Sequence, residues 1–247
     1  MKLLLVGAGN LGSALLKGLK GFNLTVVERD KNKIETLKEK FPETTFWPYD
    51  ENIDISDFIV LLAVKPQSYK NIIFRNKAKA IISVMAGVKL ENLKDYFRAE
   101  FYIRAMPNIA ALYGKSMTAF TGDEKFKIDA EKILSSVGKA VWVGSEKEID
   151  IATAVAGSGP AFLALVADAI SDGAVKAGMS KTTALEFTQG LFEGSAELLK
   201  HKHPATIKDE VTSPGGTTAE GLAKLEEMGT RSAFLEAILS AYNKANK

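Results

Sequence analysis

The chain has 247 residues, with 32 Lys plus Arg against 30 Asp plus Glu and a formal charge of +2. Its 46% hydrophobic and 25% charged residues exclude a mainly disordered chain, and the charge excludes binding to nucleic acid or an anionic membrane by bulk charge. Because the chain has no Cys, it has no disulfide, thiol nucleophile or thiolate metal site. We therefore expect a cytoplasmic protein of about two domains, with no metal site, nucleic-acid partner or membrane span.

Short apolar runs alternate with helix-period segments through the first half of the chain, which is typical of βαβ units around a parallel sheet. We interpret residues 3–6 as a buried first strand and not as a signal peptide, because glycines and a helical pattern follow at once. A helical stripe from Leu11 to Leu19 comes next, and a second one ends at Pro42. Further predicted strands cover residues 24–27, 58–63, 80–84, 101–104, 116–120 and 140–143, and a helix covers about 125–136.

After about Gly144 only helical patterns remain. The long uncharged run at 151–167 is broken by glycines and Pro160, so we interpret it as interior core and not as a membrane span. The helix that begins at Pro160 is apolar nearly all round, and a small helical unit cannot cover it alone, so we expect a partner chain to help. The predicted helices cover residues 160–177, 181–199, 217–228 and 232–242.

The glycines between the first strand and the first helix fit the motif G-x-G-x-x-G. In a dinucleotide site one glycine allows the tight turn, one lets the pyrophosphate approach, and one allows close helix packing. The alternative is a plain strand-to-helix turn, but the strand, helix and second strand all have the required spacing. We predict that the cofactor-binding residues here are Gly7, Gly9, Asn10, Leu11 and Gly12.

The end of the second strand bears on the choice between NAD(H) and NADP(H). Glu28 lies where an acid would bind the ribose 2′-hydroxyl, and its charge would repel a 2′-phosphate. Arg29, with Lys31 and Lys33, would instead attract that phosphate. These residues therefore leave the coenzyme preference open, with a solvated loop as the alternative interpretation.

Three motifs combine Gly, Pro and polar residues at the carboxyl ends of predicted strands, where open parallel sheets bind ligands. They are AVKPQ at 63–67, SVMAGV at 83–88 and RAMPN at 104–108. A fourth motif, TSPGGTT at 212–218, opens a helix that Thr217 or Thr218 is expected to cap. Its exposed amides suit a small carboxylate, the alternative being a capped helix without a ligand.

The motifs GAGNLG, AVKPQ, SVMAGV, RAMPN, GSGPAF and DEVTSPGGTTAEGL, in this order, resemble those of the pyrroline-5-carboxylate reductase family. The resemblance covers nearly the whole chain. It implies an α/β N-terminal Rossmann domain, doubly wound around a mostly parallel sheet, over residues 1–145. An all-α C-terminal dimerisation domain over 146–247 would follow, in a homodimer that can associate further. The implied reaction reduces 1-pyrroline-5-carboxylate to L-proline with NADP(H) or NAD(H).

The resemblance also implies site residues. Glu28 departs from family members that use NADPH, which often have a neutral polar residue there, so the coenzyme stays open. Thr218 would hydrogen-bond the ring nitrogen and is the candidate catalytic residue. The substrate residues would be Ser213, Pro214, Gly215, Gly216, Thr217 and Thr218, and the further cofactor residues Ala63, Val64, Lys65, Pro66, Ala86 and Asn108.

The acid–base residues of the chain agree better with an imine substrate than with a ketone. Reduction of a ketone needs a general acid, whereas an imine nitrogen carries its own proton. His201 and His203 are interpreted as solvated residues of a helix end. Lys176 could be compared with the catalytic lysine of 3-hydroxyacid dehydrogenases, but those enzymes pair it with an Asn one helical turn later, and here that position is Ser180. The alternatives are another imine or 3-hydroxyacid reductase, or a regulator that binds NAD(P)H without turnover.

Overall fold

The computed structural model describes residues 1–245. The chain forms two compact units: the first contains Met1–Gly157 and the described residues from Ala241 onward, and the second contains Ser158–Ser240.

The first unit is built on a sheet with the strand order β3-β2-β1-β4-β5-β6-β7-β8. All neighbouring strands are parallel except β6 and β7, which confirms the mostly parallel, doubly wound fold. The strand order reverses between β1 and β4, and ligands bind at such a point. The described strands are β1 (Lys2–Val6), β2 (Asn23–Glu28), β3 (Thr45–Pro48), β4 (Phe58–Leu62), β5 (Ala78–Ser83), β6 (Ala99–Met106), β7 (Ser116–Gly122) and β8 (Gly138–Trp142).

The central strands are buried on both faces. Leu3 and Leu5 of β1 belong to one core cluster, and Leu4 and Val6 belong to the other. This explains why the strand reads as a continuous apolar run instead of an alternating one. The helices are α1 (Asn10–Gly18), α2 (Lys31–Lys40), α3 (Leu90–Tyr96), α4 (Lys127–Leu134), α5 (Glu146–Ala152), α6 (Gly159–Lys176), α7 (Lys181–His201), α8 (Pro204–Glu210), α9 (Thr217–Glu227) and α10 (Thr230–Ala245).

The seven strands predicted from the sequence are confirmed, with their ends within two residues of the prediction. Strand β3 was not predicted, because Phe46 is its one buried residue and Pro48 ends it. Helices α3, α5 and α8 were also missed, since seven residues show less than two full turns of a periodic pattern. Between α5 and α6, Thr153–Gly157 form a π-helical turn.

The second unit is all-helical, as the sequence predicted, and α6 packs beside α7. The expectation that the apolar run becomes interior core is wrong within one chain, because Leu163 and Leu165 of α6 are exposed. A unit of this size has too few helices to surround an apolar helix on every side. Among the described residues, the stretch Glu146–Lys176 is long and apolar enough to cross a membrane, and most of it lies at the surface of the single chain.

Candidate functional site

The glycine turn, residues 7–12, connects β1 to α1 in a shape that requires two of its glycines. Gly7 has a φ of +90°, and a Cβ there would lie 2.8 Å from Val64 Cγ1. A Cβ on Gly12 would lie 2.1 Å from the Gly7 carbonyl oxygen. The first turn of α1 is therefore pressed directly against the turn that precedes it.

Gly9 differs, because a Cβ there would meet no atom within 4 Å. It is the N-cap of α1 and, having no side-chain acceptor, it leaves the first helix amides without a side-chain cap. The amides of Asn10 and Leu11 lie in the first helical turn and have no intrahelical partner. An open backbone in front of free amides fits the pyrophosphate of a dinucleotide.

A cleft of about 540 Å³ opens beside the glycine turn at the carboxyl ends of β1, β2 and β4. The predicted cofactor residues that line it are Gly7, Gly9, Glu28, Arg29, Ala63, Val64 and Lys65. Pro66 begins the 3₁₀ turn Pro66–Asn71, whose residues Gln67, Ser68 and Asn71 also line the cleft.

The Glu28 carboxylate accepts hydrogen bonds from three backbone amides beside the cleft. Its Oε2 accepts a hydrogen bond of 3.0 Å from the Ala8 amide, and its Oε1 accepts bonds from the amides of Arg29 and Asp30. Lys33 Nζ lies 3.4 Å from Oε2. Burial alone would raise the pKa of the Glu28 carboxyl, but the three amides and the Lys33 charge outweigh it, so the pKa is below its usual value.

Tyr49 lines the same cleft and was not predicted. Its amide donates to the Glu28 carbonyl, and its hydroxyl donates to the Asn71 carbonyl and accepts from the Ile73 amide. No sequence pattern marks Tyr49, because it directly follows β3, which was also missed.

Six predicted cofactor residues do not line the cleft: Asn10, Leu11 and Gly12 in the first turn of α1, Pro66, Ala86 and Asn108. Ala86 is exposed beyond the end of β5. The side chain of Asn108 is already engaged, since its Nδ2 donates to the Ala156 carbonyl at 2.9 Å and its Oδ1 accepts from the Met117 amide. All six cofactor assignments stay predictions.

Arg104 lies in the RAMPN motif and forms ion pairs with two carboxylates. Its guanidinium is almost fully buried and contacts Glu146 at 3.2 Å and Asp150 at 2.5 Å. Glu146 also accepts a bond from the Leu90 amide. This buried network ties α5 to the carboxyl end of β6 and to the start of α3.

The 213–218 segment lies in the second unit and precedes α9. Gly215 has a φ of +66°, and the Gly216 amide donates to the Ser213 carbonyl at 3.0 Å. The expectation that Thr217 or Thr218 caps the helix is wrong, because the N-cap is Gly216 and no side chain caps it. The tight turn at Gly215 places both threonines inside the first helical turn, where their hydroxyls cannot cap it.

Thr218 is half-buried and lines an apolar groove of about 310 Å³ between α7, α8 and α9. Among residues 1–245, no partner hydrogen-bonds to its hydroxyl. Thr218 thus offers a free hydroxyl at the wall of the groove. The other lining residues are Ser195, Leu199, Pro204, Ile207, Lys208, Val211 and Leu222.

The two histidines are exposed. His201 ends α7, with Nε2 3.3 Å from Glu197, as expected of a residue in a last helical turn. His203 differs from that expectation: it is the N-cap of α8, and its Nδ1 accepts from the Ala205 amide. Ser180 caps α7 through Thr183.

Two family models match the chain. One is described as pyrroline-5-carboxylate reductase dimerisation and matches residues 146–247. The other is described as NADP oxidoreductase, coenzyme F420-dependent, and matches residues 2–87.

Three curated or solved relatives each cover almost the full chain. The pyrroline-5-carboxylate reductase of Helicobacter pylori is 35% identical over 97% of this chain and 96% of its own. The structure of the Streptococcus pyogenes reductase has a TM-score of 0.83 and 30% identity, covering 100% of this chain and 98% of that one. The Plasmodium falciparum reductase, solved with NADP bound, has a TM-score of 0.80 and 26% identity, covering 100% of this chain and 97% of that one. The chain belongs to the pyrroline-5-carboxylate reductase family.

Proposed function

We propose that the protein reduces 1-pyrroline-5-carboxylate to L-proline with NAD(P)H, the last step of proline synthesis. The observation that carries the proposal is the 35% identity to the Helicobacter pylori reductase along nearly the whole of both chains. Such coverage extends through both units of the chain.

The cleft of the first unit holds the dinucleotide, which supplies a hydride when it is bound. The pyrophosphate lies at the open backbone of Gly9, against the free amides of Asn10 and Leu11. Close packing at Gly12 brings those amides to the turn. The adenosine end lies towards Glu28 and Arg29, and the nicotinamide end towards Ala63, Val64, Lys65, Pro66, Ala86 and Asn108.

The 213–218 segment holds the substrate. Pro214, Gly215 and Gly216 shape the turn, and the amides that open α9 receive the substrate carboxylate, with Ser213 and Thr217 beside them. Thr218 accepts a hydrogen bond from the protonated ring nitrogen through its free hydroxyl. This bond orients the ring and holds the iminium form.

The reaction needs no acid from the protein at the nitrogen. The imine takes a proton from solvent, the hydride adds to the ring carbon of the C=N bond, and the electron pair of that bond goes to nitrogen. The product is the secondary amine, and the oxidised nicotinamide leaves. Binding and orientation therefore account for the catalysis, in agreement with the exposed positions of His201 and His203.

The organisation that we propose follows the function. Residues 1–145 form the NAD(P)-binding domain and residues 146–247 the substrate-binding and dimerisation domain of a cytoplasmic homodimer, which is able to form larger oligomers of dimers. The exposed apolar side chains of α6 supply surface for the dimer contact.

Purified protein tests the function. We expect oxidation of NADH or NADPH that depends on 1-pyrroline-5-carboxylate, with L-proline formed in equal amount. Oxidation with an unrelated cyclic imine or a 3-hydroxyacid but not with this substrate would replace the proposed reaction. Tight nucleotide binding without any oxidation would indicate a regulator instead.

A further inference from the structure

We propose that the adenosine end of the cleft selects NADH over NADPH, because the Glu28 carboxylate is fixed where a 2′-phosphate would have to lie. The inference rests on the proposed function only in that the cleft holds a nicotinamide dinucleotide. It decides between two alternatives that the sequence leaves open.

The Glu28 carboxylate cannot move away from this position. Its Oε2 bonds the Ala8 amide at 3.0 Å across 20 residues of sequence, and its Oε1 bonds the Arg29 amide at 2.7 Å and the Asp30 amide at 3.3 Å. These donors belong to the backbone and do not rotate. Turning Glu28 outward would leave the buried Ala8 amide without its partner.

The Glu28 carboxylate has few positions left for accepting further hydrogen bonds. A carboxylate accepts about four hydrogen bonds, and the amides use three of these positions. Lys33 Nζ occupies the fourth at 3.4 Å, from a side chain that is 37% exposed. A ribose hydroxyl has a proton to donate and can replace this long contact, whereas a phosphate dianion has none and meets a like charge.

The nearby cations do not offset the charge of Glu28. Lys33 already faces Glu28, so its charge is largely neutralised. Arg29 is exposed, and water and salt screen its attraction for a phosphate. The Glu28 side chain is 14% exposed, so its repulsion is screened less. The balance therefore favours the free 2′-hydroxyl.

A matched pair of fragments isolates this end of the cleft from hydride chemistry. Calorimetry should show that ADP-ribose binds the full-length protein at least about tenfold more tightly than 2′-phospho-ADP-ribose, a difference that shrinks as salt is added. Equal or tighter binding of the 2′-phosphorylated fragment would overturn the proposal.

A neutral variant tests the residue itself. Glu28→Gln should lower the ratio of the two affinities at least about tenfold, whereas Glu35→Gln, an exposed carboxylate on α2, should keep the wild-type ratio. An unchanged ratio in a folded Glu28→Gln protein would contradict the proposal. If that variant does not fold, the salt dependence of the wild-type ratio decides, and a ratio that does not shrink with salt overturns it.

Turnover separates this inference from the proposed function. With 1-pyrroline-5-carboxylate, we expect kcat/KM to be at least about tenfold higher for NADH than for NADPH. Equal rates, or faster turnover with NADPH, would contradict the coenzyme inference and leave the reaction in place. No turnover with either nucleotide would contradict the proposed function, while the fragment affinities would still decide the coenzyme.

Discussion

The two units bury their side chains very differently. The first unit has core clusters on both faces of its sheet, with Leu3 to Val6 at the centre. In the described part of the second unit, the fully buried residues are Ser171, Ala184 and Thr188. The first unit can therefore fold around its own core, while the second depends on surface that another chain covers.

The two glycine segments differ in the same way. In the first unit, side chains at Gly7 and Gly12 would collide with backbone or packed atoms. In the second, a Cβ on Gly216 would collide only with Ser213 of the same segment, at 2.4 Å from its Oγ, and a Cβ on Gly215 would meet nothing within 4 Å. The glycine turn is thus shaped by its contact with the residues that follow β4, whereas the 213–218 segment is shaped by its own Ser213 and has open space at Gly215.

The largest effect should come from Gly12→Ala. A Cβ 2.1 Å from the Gly7 carbonyl must displace backbone, so we expect loss of measurable dinucleotide binding and a free energy of unfolding lower by about 1–3 kcal/mol. Gly9→Ala is the comparison, because that Cβ enters open space and should weaken binding without lowering stability. Calorimetry and denaturant unfolding measure the two quantities. Equal stability losses in both variants would contradict the separate roles of these glycines.

Leu165→Glu tests the dependence of the second unit on a partner. This side chain on α6 is 72% exposed in one chain, so a charge there should convert dimers to monomers and remove most activity. Ile128→Glu on α4 is the matched control, since Ile128 is 82% exposed in the first unit. Light scattering after size-exclusion chromatography gives the mass. If Leu165→Glu formed a dimer of wild-type stability, this face of α6 would not be part of the interface.

Thr218→Ala tests the substrate segment. Loss of the free hydroxyl should lower kcat/KM for 1-pyrroline-5-carboxylate by about tenfold or more while nucleotide binding stays intact. Thr218→Ser retains a hydroxyl and should recover part of the rate. Thr182→Ala removes an exposed hydroxyl from α7 and should change nothing. Wild-type rates in Thr218→Ala would exclude Thr218 from the mechanism.

A smaller effect is expected for Tyr49→Phe. The variant keeps the ring but loses the hydroxyl that joins Asn71 to Ile73, so the free energy of unfolding should fall by about 1 kcal/mol and NADH should bind about fivefold more weakly. Tyr113→Phe is the control, because Tyr113 is exposed. Equal NADH affinity in wild type and Tyr49→Phe would show that the hydroxyl does not shape the cleft.

The smallest effect concerns pH. Because the pKa of Glu28 is lower in the folded protein than its usual value, its ionised form stabilises the fold above the usual pKa of a glutamate. This contribution is lost as the pH falls through the lowered folded pKa. The Tm difference between wild type and Glu28→Gln should therefore be largest near neutrality and shrink in acid. A difference that grows in acid would contradict the assignment.

Much of the first unit could be predicted from the sequence, because its signals are local. A buried strand such as β1 reads as an apolar run, and the glycine turn follows it at a fixed spacing. Strand β3 and Tyr49 could not be predicted, since one buried Phe46 gives no pattern. The hydrogen bond from the Ala8 amide to Glu28 could not be predicted either, because it joins residues that are 20 positions apart in the sequence.

The site in the second unit depended on a different kind of inference. The resemblance of the 213–218 segment to a family singled out Thr218, whereas local capping rules gave the wrong N-cap. The expectation of a buried α6 was also wrong for a single chain, although the same apolar pattern correctly indicated surface that needs covering. Periodicity reports that a face is apolar but not which chain covers it.

The central claim is that hydride passes from a dinucleotide to the C=N carbon of a cyclic imino acid. Reduced nicotinamide nucleotide deuterated at the transferable position, incubated with 1-pyrroline-5-carboxylate and the purified protein, tests this directly by mass spectrometry and NMR of the product. We predict L-proline with one deuterium on the ring carbon that was part of the C=N bond, which is bonded to nitrogen and does not carry the carboxylate. L-proline without deuterium, or no L-proline at all, would contradict the account.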